Sequence, residues 1–288
     1  MTDTTGPAAV GAILVPLDGS ALAEKALPLA AWLAKAISAP VRFVHVIDDD
    51  RMADTPQEVT LAKDRFATYS TGLAERAGVA TSTSEVLTGD PADQLLRASE
   101  GSRYVVIATH GKGGFRATLI GSVADKVVRG ATVPTFLVPG AESGGAPTMD
   151  KPFLVGLDGS PQAEAGLAVA RELAAATGAK LTLLRAFTMP TTSVGMEFSA
   201  YSPDLLTSLQ DAATEYMRGV VKPGESERLV QSDAATAIVE AAKELDAGLV
   251  VLTSGGKGLA KRLAFGSVTD RVMHAIDRTL LVVPQQRR

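Results

Sequence analysis

The sequence contains no cysteine, one tryptophan and only 5% aromatic residues among its 288 positions. Without cysteine the chain can form no disulfide, no thiolate nucleophile and no sulfur-ligated metal site, which agrees with a reducing compartment. A basic surplus is also lacking, since 28 Lys and Arg stand against 32 Asp and Glu. Because neutralising phosphates needs positive charge, the net charge of −4 argues against a nucleic-acid partner.

Long apolar runs and a leader pattern are missing as well. No uninterrupted apolar run approaches the roughly 18 residues that cross a membrane. The opening MTDTTGPAAVGA lacks the basic segment of a secretory signal. We therefore expect a cytoplasmic protein with no membrane partner.

The chain repeats itself. ILVPLDGS at Ile13–Ser20 returns as FLVGLDGS at Phe153–Ser160, at an offset of 158 − 18 = 140. Two glycine-rich loops, at Ala108–Ser122 and Thr253–Ser267, are related by 266 − 121 = 145. Between the copies lies PGAESGGAPTMDKP, which is rich in Gly and Pro and typical of a linker. We predict two domains, 1–140 and 152–288, joined by a linker at 141–151.

Each copy alternates apolar strands with helical patterns. Ser20 and Ser160 are predicted to cap the first helix of each copy, and SVAD and SVTD, which begin at Ser122 and Ser267, indicate capping boxes at the last helices. The alternation predicts an α/β fold of two tandem doubly wound, flavodoxin-like domains, each with a five-stranded parallel sheet in the order 3-2-1-4-5. The strands predicted for the first copy are Ile13–Leu17, Val41–Ile47, Ser82–Leu87, Tyr104–Ala108 and Pro134–Val138. The later helices are predicted at Pro56–Ala77, Pro91–Ser99 and Val123–Gly130.

Each glycine loop runs from a strand end to a helix start. Gly111 and Gly121, like Gly256 and Gly266, permit close approach of the backbone to a ligand. The helix start adds unpaired N–H groups and the positive end of the helix dipole. This combination favours a phosphate site over a plain connection, more strongly in the first copy than in the second.

Familiar nucleotide and catalytic motifs do not occur. There is no G-x-x-x-x-G-K-[ST] loop, no G-x-G-x-x-G at the first helix and no G-x-S-x-G elbow. His45, His110 and His274 fall on separate elements without metal-ligand spacing. We therefore expect no catalytic residue, no metal site and at most a weak ATPase activity. Asp18 and Asp158, directly after strand one, are interpreted either as turn residues or as carboxylates for a ribose hydroxyl or a polar base edge.

The chain resembles the universal stress protein family almost end to end in both halves. The resemblance is carried by ILVPLDGS, VRFVHVID, LTGDPADQLL and the glycine loop with its following helix and strand. In the nucleotide-binding branch of that family the loop reads G-x2-G-x9-G-[ST] and contacts the ribose and phosphates of ATP. Both copies keep the last two glycines and the hydroxyl residue, whereas Ala108 and Thr253 stand at the first glycine.

The resemblance implies HUP-like domains that bind ATP, up to two molecules per chain with the first half favoured, and with Mg²⁺ as a candidate companion ion. It implies that Asp18 and Asp158 face the sugar and base end and that the backbone at Val46 and Ala186 meets the adenine edge. The nucleotide site expected in the first half comprises Pro16, Leu17, Asp18, Val46, Ala108, Thr109, His110, Gly111, Lys112, Gly113, Gly114, Thr118, Gly121, Ser122 and Val123. The second comprises Gly156, Leu157, Asp158, Ala186, Thr253, Ser254, Gly255, Gly256, Lys257, Leu263, Gly266, Ser267 and Val268.

The expected function is that of an ATP-binding sensor or regulator in the stress response. A nucleotide-free interaction protein is one alternative, which the missing first glycines favour. A slow ATP hydrolase is another, although related enzymes that cleave ATP to AMP would carry S-G-G-x-D-S where this chain has LDGS. The fifth strands, Pro134–Val138 and Leu280–Val283, are short apolar edges, which predicts that they pair antiparallel within the chain. A homodimer is expected by analogy alone.

Overall fold

The structure is a computed structural model that describes residues 11–48, 56–109, 120–140, 150–188, 203–255 and 265–285. The described residues group into two units by their contacts. One unit is drawn from residues 1–148 together with 277–288, and the other from residues 149–276.

The first half has a parallel sheet wrapped by helices. Its strands pair in the order β3-β2-β1-β4-β5, and all four pairings are parallel, which confirms the predicted flavodoxin-like order. The strands are β1 (Ile13–Pro16), β2 (Val41–Ile47), β3 (Ser82–Thr88), β4 (Tyr104–Thr109) and β5 (Thr135–Pro139). The helices are a 3₁₀ turn (Ala23–Ala26), α1 (Leu27–Ile37), α2 (Pro56–Ala77), α3 (Pro91–Ser99) and α4 (Ser122–Gly130).

The second half repeats this series of elements. Four of its strands pair in parallel in the order β8-β7-β6-β9, which is the order of β3-β2-β1-β4. The predicted fold class is therefore confirmed. The strands are β6 (Phe153–Leu157), β7 (Leu181–Phe187), β8 (Ser226–Gln231), β9 (Leu249–Thr253) and β10 (Thr279–Val283). The helices are α5 (Pro161–Thr177), α6 (Pro203–Val220), α7 (Ala234–Glu244) and α8 (Ser267–Ala275).

The last strand, β10, lies antiparallel against β5, with Leu281 opposite Phe136 and Leu280 opposite Leu137. These four side chains are at most 4% exposed. The two strands are those whose apolar edges led us to expect pairing, and their contact belongs to the first unit.

Helices cover both faces of the first sheet. α1 packs against α2, and α3 packs against α4. Because parallel crossovers are right-handed, the two pairs of helices lie on opposite faces, and Ile13, Leu14 and Val15 of the central strand are fully buried between them. The direction of the crossovers reverses between β1 and β4. The carboxyl ends of these two neighbouring strands therefore form the switch point at which such folds bind ligands.

The first helix of the first half differs from the prediction. Ser20 Oγ accepts the Ala23 N–H at 3.1 Å, as expected of a cap, but only a 3₁₀ turn follows. Pro28 has no N–H to donate to the Glu24 carbonyl and its ring crowds that carbonyl, so the α-helix begins only at Leu27. In the second half the proline stands at the first helical position instead, and α5 is continuous.

Candidate functional site

The turn after β1 holds the carboxylate of Asp18 in place. The Ser20 N–H donates to Asp18 Oδ1 at 2.9 Å, and the side chain itself is exposed. Partial burial acts to raise the pKa of Asp18, but the hydrogen bonds from Ser20 and the nearby His45 outweigh it and hold the pKa below its ordinary value. The aspartate is thus an ionised acceptor with a fixed direction at the switch point.

The second half builds the same turn. The Ser160 N–H donates to Asp158 Oδ1 at 2.9 Å, and Ser160 Oγ accepts the Ala163 N–H at 3.1 Å. Ser160 is therefore the N-cap of α5, as predicted. The local motif Asp-Gly-Ser produces one geometry in both copies, because each of its hydrogen bonds spans no more than three residues.

The end of β4 lies beside this turn, because β1 and β4 are paired neighbours. Thr109 is the last residue of β4 and is buried, and its carbonyl accepts the Gly140 N–H at 2.7 Å. Lys25, in the 3₁₀ turn, donates to the Gly140 carbonyl at 2.5 Å. The strand end from which the glycine loop departs is therefore joined to Gly140, just after β5.

The start of α4 corrects the predicted capping box. Gly121, not Ser122, is the N-cap: its backbone is extended and its carbonyl accepts the Asp125 N–H at 2.9 Å. Ser122 is the first helical residue and its side chain is exposed. α8 has the same arrangement, with Gly266 as N-cap and Ser267 exposed. The N-cap glycines supply no side-chain acceptor to the first N–H groups of these two helices.

Thr253, which stands where the family loop has its first glycine, packs its side chain into the protein. Thr253 Oγ1 donates to the Gly255 carbonyl at 2.8 Å. Its methyl group lies against α5, where a Cβ added to Gly166 would be 2.7 Å from Thr253 Cγ2. The first half has Ala26 and Ala108 at the corresponding positions. The larger residue in β9 is therefore accommodated by a smaller one in α5.

In the second half, hydrogen bonds join the residues at which the glycine loop begins to those at which α8 starts. The Gly266 N–H donates to the Ser254 carbonyl at 2.7 Å, and Thr269 Oγ1 donates to the Thr253 carbonyl at 2.7 Å. These bonds bring the end of β9 next to the start of α8. The predicted strand end and the predicted helix start are thus neighbours in this half.

The proposed adenine end lies on β2 and β7. Val46 is level with Leu87 of β3, and Ala186 is level with Val230 of β8. Both residues are half-buried and lie near the carboxyl ends of their strands, on the side of β1 or β6 away from the glycine loop. The structure therefore brings Val46 to the same edge of the sheet as Asp18.

Two contacts at this edge were missed by the sequence analysis. Nδ1 of His45 lies 2.8 Å from the Leu17 carbonyl, and Arg185 Nη1 donates to the Leu157 carbonyl at 3.2 Å. The signal that could have found them is the repeat itself, since 185 − 45 = 140, the offset of the two aspartates.

A tyrosine and a glutamate lie beside the turn in the first half. Tyr69 of α2 donates to Glu24 Oε1 at 2.7 Å. Burial raises the pKa of Tyr69 to about 12, and the hydrogen bond and charge of Glu24 act in the same direction. In the second half burial raises the pKa of Tyr216 to about 12, with the charge of Glu164 next in importance. Both phenols are neutral at physiological pH.

Asp90, which follows Gly89 in LTGDPADQLL, and its counterpart Asp233, which follows Ser232 in the second half, are helix caps. Asp90 Oδ1 accepts the Asp93 N–H at 2.9 Å at the start of α3. Asp233 caps α7 and also receives both Nη groups of Arg271, at 2.7 and 2.8 Å. The hydrogen bonds from Arg271 lower the pKa of Asp233 to about 2. Their contacts are thus structural.

Part of the predicted site lies outside the described residues. In the first half this holds for His110, Gly111, Lys112, Gly113, Gly114 and Thr118, and in the second for Gly256, Lys257 and Leu263. Within the described ranges, no group of three His, Asp or Glu side chains could hold a metal ion. No helix among the described residues is both long and apolar enough to cross a membrane.

Fold and site together define a tandem doubly wound α/β protein with an aspartate turn and an open helix start in each half. The model of the universal stress protein family matches residues 10–139 and 149–284. The chain therefore belongs to the universal stress protein family, twice over along its length.

Curated relatives are universal stress proteins that match almost the whole chain, and a solved structure has a similar fold. Universal stress protein Rv2005c of Mycobacterium tuberculosis is 26% identical over 294 residues, which cover 95% of this chain and 97% of that protein. A universal stress protein of Mycolicibacterium smegmatis is 27% identical over 288 residues, with 94% and 96% covered. The crystal structure of a universal stress protein from Archaeoglobus fulgidus DSM 4304 is similar with a TM-score of 0.73 at 20% identity, covering 96% of this chain and 99% of that one.

Proposed function

We propose that the protein binds ATP at the β1–β4 switch point, with the first half favoured and the second half as a further site, and acts as a nucleotide-dependent sensor or regulator in the stress response. The observation that carries this proposal is the combination of an oriented, ionised Asp18 with a helix start whose N–H groups are not capped by a side chain. The two features suit the two ends of a nucleotide.

The two features divide the recognition between them. The helix start at Gly121 and Ser122 suits a phosphate, because its N–H groups and dipole favour negative charge. A carboxylate repels phosphate but accepts from hydroxyls, so Asp18 suits the ribose, and the backbone of Val46 the adenine edge. Any Mg²⁺ would be held through the phosphates, since the described residues offer no ligand cluster.

A sensor also needs contacts that transmit a change at its ligand site to another part of the protein. Gly140 is bonded both to Thr109, where the glycine loop begins, and to Lys25, in the 3₁₀ turn after the Asp18 turn. Gly140 immediately precedes the proposed linker at 141–151. A ligand that rearranges the loop or the turn would therefore act on the residue from which the linker starts.

A nucleotide-free interaction protein is the second candidate. Ala108 and Thr253 replace the first loop glycine, and in the second half Thr253 Oγ1 already donates to the Gly255 carbonyl. Close approach of a ligand to the backbone at this position is therefore less favoured than in a loop that begins with glycine.

Calorimetric titration with ATP tests the proposal, with Gly121→Val and Gly266→Val as matched variants. Neither glycine has a positive φ, and a Cβ on Gly266 meets nothing closer than 3.4 Å. Thermal unfolding of both variants checks that they fold. We expect Gly121→Val to remove the tighter site and Gly266→Val to leave it, because a branched Cβ obstructs the approach of phosphate to the backbone.

The outcomes separate the candidate functions. No ATP binding by the folded wild type would leave the nucleotide-free protein. Unchanged stoichiometry and affinity in folded Gly121→Val would contradict the assigned site. Mass spectrometry of nucleotide released on heating distinguishes bound ATP from its cleavage to AMP, which the hydrolase alternative requires.

A further inference from the structure

A basic side chain at the same place in each copy holds the turn that carries the site aspartate. His45 Nδ1 lies 2.8 Å from the Leu17 carbonyl, and Arg185 Nη1 lies 3.2 Å from the Leu157 carbonyl. Because a carbonyl only accepts, Nδ1 of His45 carries a hydrogen and donates it. Each leucine immediately precedes the aspartate of its half.

In the first half, acidic and aromatic groups surround His45. The Phe66 ring of α2 lies against the imidazole with the ring centroids 5.3 Å apart and the planes inclined by 30°. Asp18, after β1, is close enough for the histidine to lower its pKa. Next to Phe66 lies Tyr69 of α2, with ring centroids 6.2 Å apart, and Tyr69 donates to Glu24 of the 3₁₀ turn at 2.7 Å. From β3, Val86 lies level with His45.

Around His45, the pKa of Asp18 lies below its ordinary value and that of Tyr69 is about 12. Between about pH 6 and pH 8 the aspartate therefore stays charged and the phenol stays neutral, whereas histidine as a residue type changes its charge in this range. Protonation turns the bond to Leu17 into a charge-assisted one and adds positive charge beside Asp18.

The second half replaces the titrating group with a permanent charge. The guanidinium of Arg185 lies over the Tyr216 ring, with Cζ 5.9 Å from its centroid. Asp158 and Glu164 both act on the titration of this tyrosine, so they lie in the same neighbourhood. Arginine stays protonated at every physiological pH.

We propose that His45 and Arg185 are positioning residues for the two nucleotide sites and that they make only the first half gain affinity as the pH falls. This inference rests on the proposed function. The charged imidazole holds the Leu17–Asp18 turn more firmly and keeps positive charge near the ligand, whereas the second turn is held equally at every pH. By linkage, ATP favours the protonated His45 ring by the same factor.

The test measures ATP affinity at about pH 6 and about pH 8 in each half separately. Gly266→Val reports on the first half and Gly121→Val on the second. We expect the first half to gain about three- to tenfold more affinity than the second on acidification, as for a hydrogen bond that becomes charge-assisted. The terminal phosphate of free ATP titrates identically in both measurements, and comparison of wild type with His45→Arg at the same site removes the contribution of the bound phosphate.

Exchanging the two residues gives the decisive variants. His45→Arg should abolish the additional gain of the first half, and Arg185→His should create one in the second half. Each variant introduces the residue that the other copy already accepts, which favours folding, and thermal unfolding at both pH values checks it. His274→Gln, on α8 where its ring bonds to the Asp270 carbonyl, is the control that should change nothing.

The outcomes distinguish this inference from the proposed function. A folded chain that binds no ATP at either pH overturns both. ATP binding with the same gain in both halves overturns only the positioning role. A gain that survives in His45→Arg also overturns only that role and assigns the pH response elsewhere in the first half, for example to His110.

Discussion

Asp18 has one hydrogen bond within the protein and one proposed contact with a ligand, and a substitution can separate the two. One carboxylate oxygen accepts the Ser20 N–H, which shapes the turn. The side chain is exposed, so a carboxylate oxygen is also available to a ligand. Asp158 Oδ1 likewise receives the Ser160 N–H, and its side chain is half-buried.

Asp18→Asn keeps an oxygen for the Ser20 N–H but removes the charge. We expect ATP binding to weaken by roughly 1–3 kcal/mol, because a charge-assisted bond to a ribose hydroxyl is lost, while the thermal unfolding temperature stays close to that of wild type. Calorimetry and thermal unfolding on the same sample give both values. Asp18→Ala, which also removes the acceptor for Ser20, is the comparison. A turn residue alone would lower stability in Asp18→Ala and leave affinity unchanged in both variants.

Residues whose contacts are local could be predicted from the sequence. Asp18, Ser20 and Ser160 belong to a short motif whose hydrogen bonds span two or three residues. The sequence could not show whether Gly121 or Ser122 is the N-cap of α4. Glycine and serine both occur as N-caps, and only the backbone conformation shows which residue precedes the first helical one. The bonds of His45 and Arg185 to carbonyls on the neighbouring strand require the register of the sheet.

At the scale of elements, the residues at which α5 and β9 meet are matched in size. Gly166 leaves room in α5 for the Thr253 methyl group, whereas the first half has alanine at both corresponding positions. The exchange preserves the packing of helix against strand while changing both partners. It also explains how the second half tolerates a β-branched residue at the start of its glycine loop.

The effect of Gly166→Ala on the free energy of unfolding should therefore change sign with the residue at position 253. Alone it should destabilise by about 1 kcal/mol, because overpacking against Thr253 exceeds the gain in helix propensity. In a Thr253→Ser background, which keeps the hydroxyl but removes the methyl group, the same change should stabilise by about 0.5–1 kcal/mol. Denaturant unfolding of the four proteins gives the coupling. Equal effects in both backgrounds would show that the methyl group is not the obstacle.

Element boundaries followed the sequence where apolar runs were bounded by turn residues. β2, α2 and α3 begin and end at the residues that the sequence predicted. The first helix does not begin where it was predicted, because the effect of a proline depends on its position in the helix. Pro28 is favourable in the first turn of a helix and disruptive one turn later. The domain division at 1–140, 141–151 and 152–288 stays a prediction.

At the scale of the whole molecule, we propose that the pairing of β5 with β10 holds the two halves of the chain together. Leu137→Asp with Leu281→Asp places charge on both strands at positions that are at most 4% exposed. We expect a larger radius of gyration by small-angle scattering, since a buried, unpaired carboxylate opposes closure of this contact. Far-UV circular dichroism monitors folding of each half.

The matched control is Leu137→Ala with Leu281→Ala, which removes apolar volume without adding charge and should leave the radius unchanged. An unaltered scattering profile from the folded aspartate variant would mean that another surface joins the halves. A further homodimer stays a prediction, and sedimentation of the wild type measures it.

The β5–β10 pairing also sets an order of events during synthesis. β5 ends at Pro139 and β10 begins at Thr279, so 279 − 139 − 1 = 139 positions of chain separate the two strands. At about 5–20 residues per second, β10 leaves the ribosome roughly 7–28 s after β5. During that interval the first sheet has an unpaired edge at β5, the kind of surface to which another nascent chain can add. A polysome translating this protein thus presents several such edges side by side. Until β10 is synthesised, only chaperones that bind nascent chains can cover them.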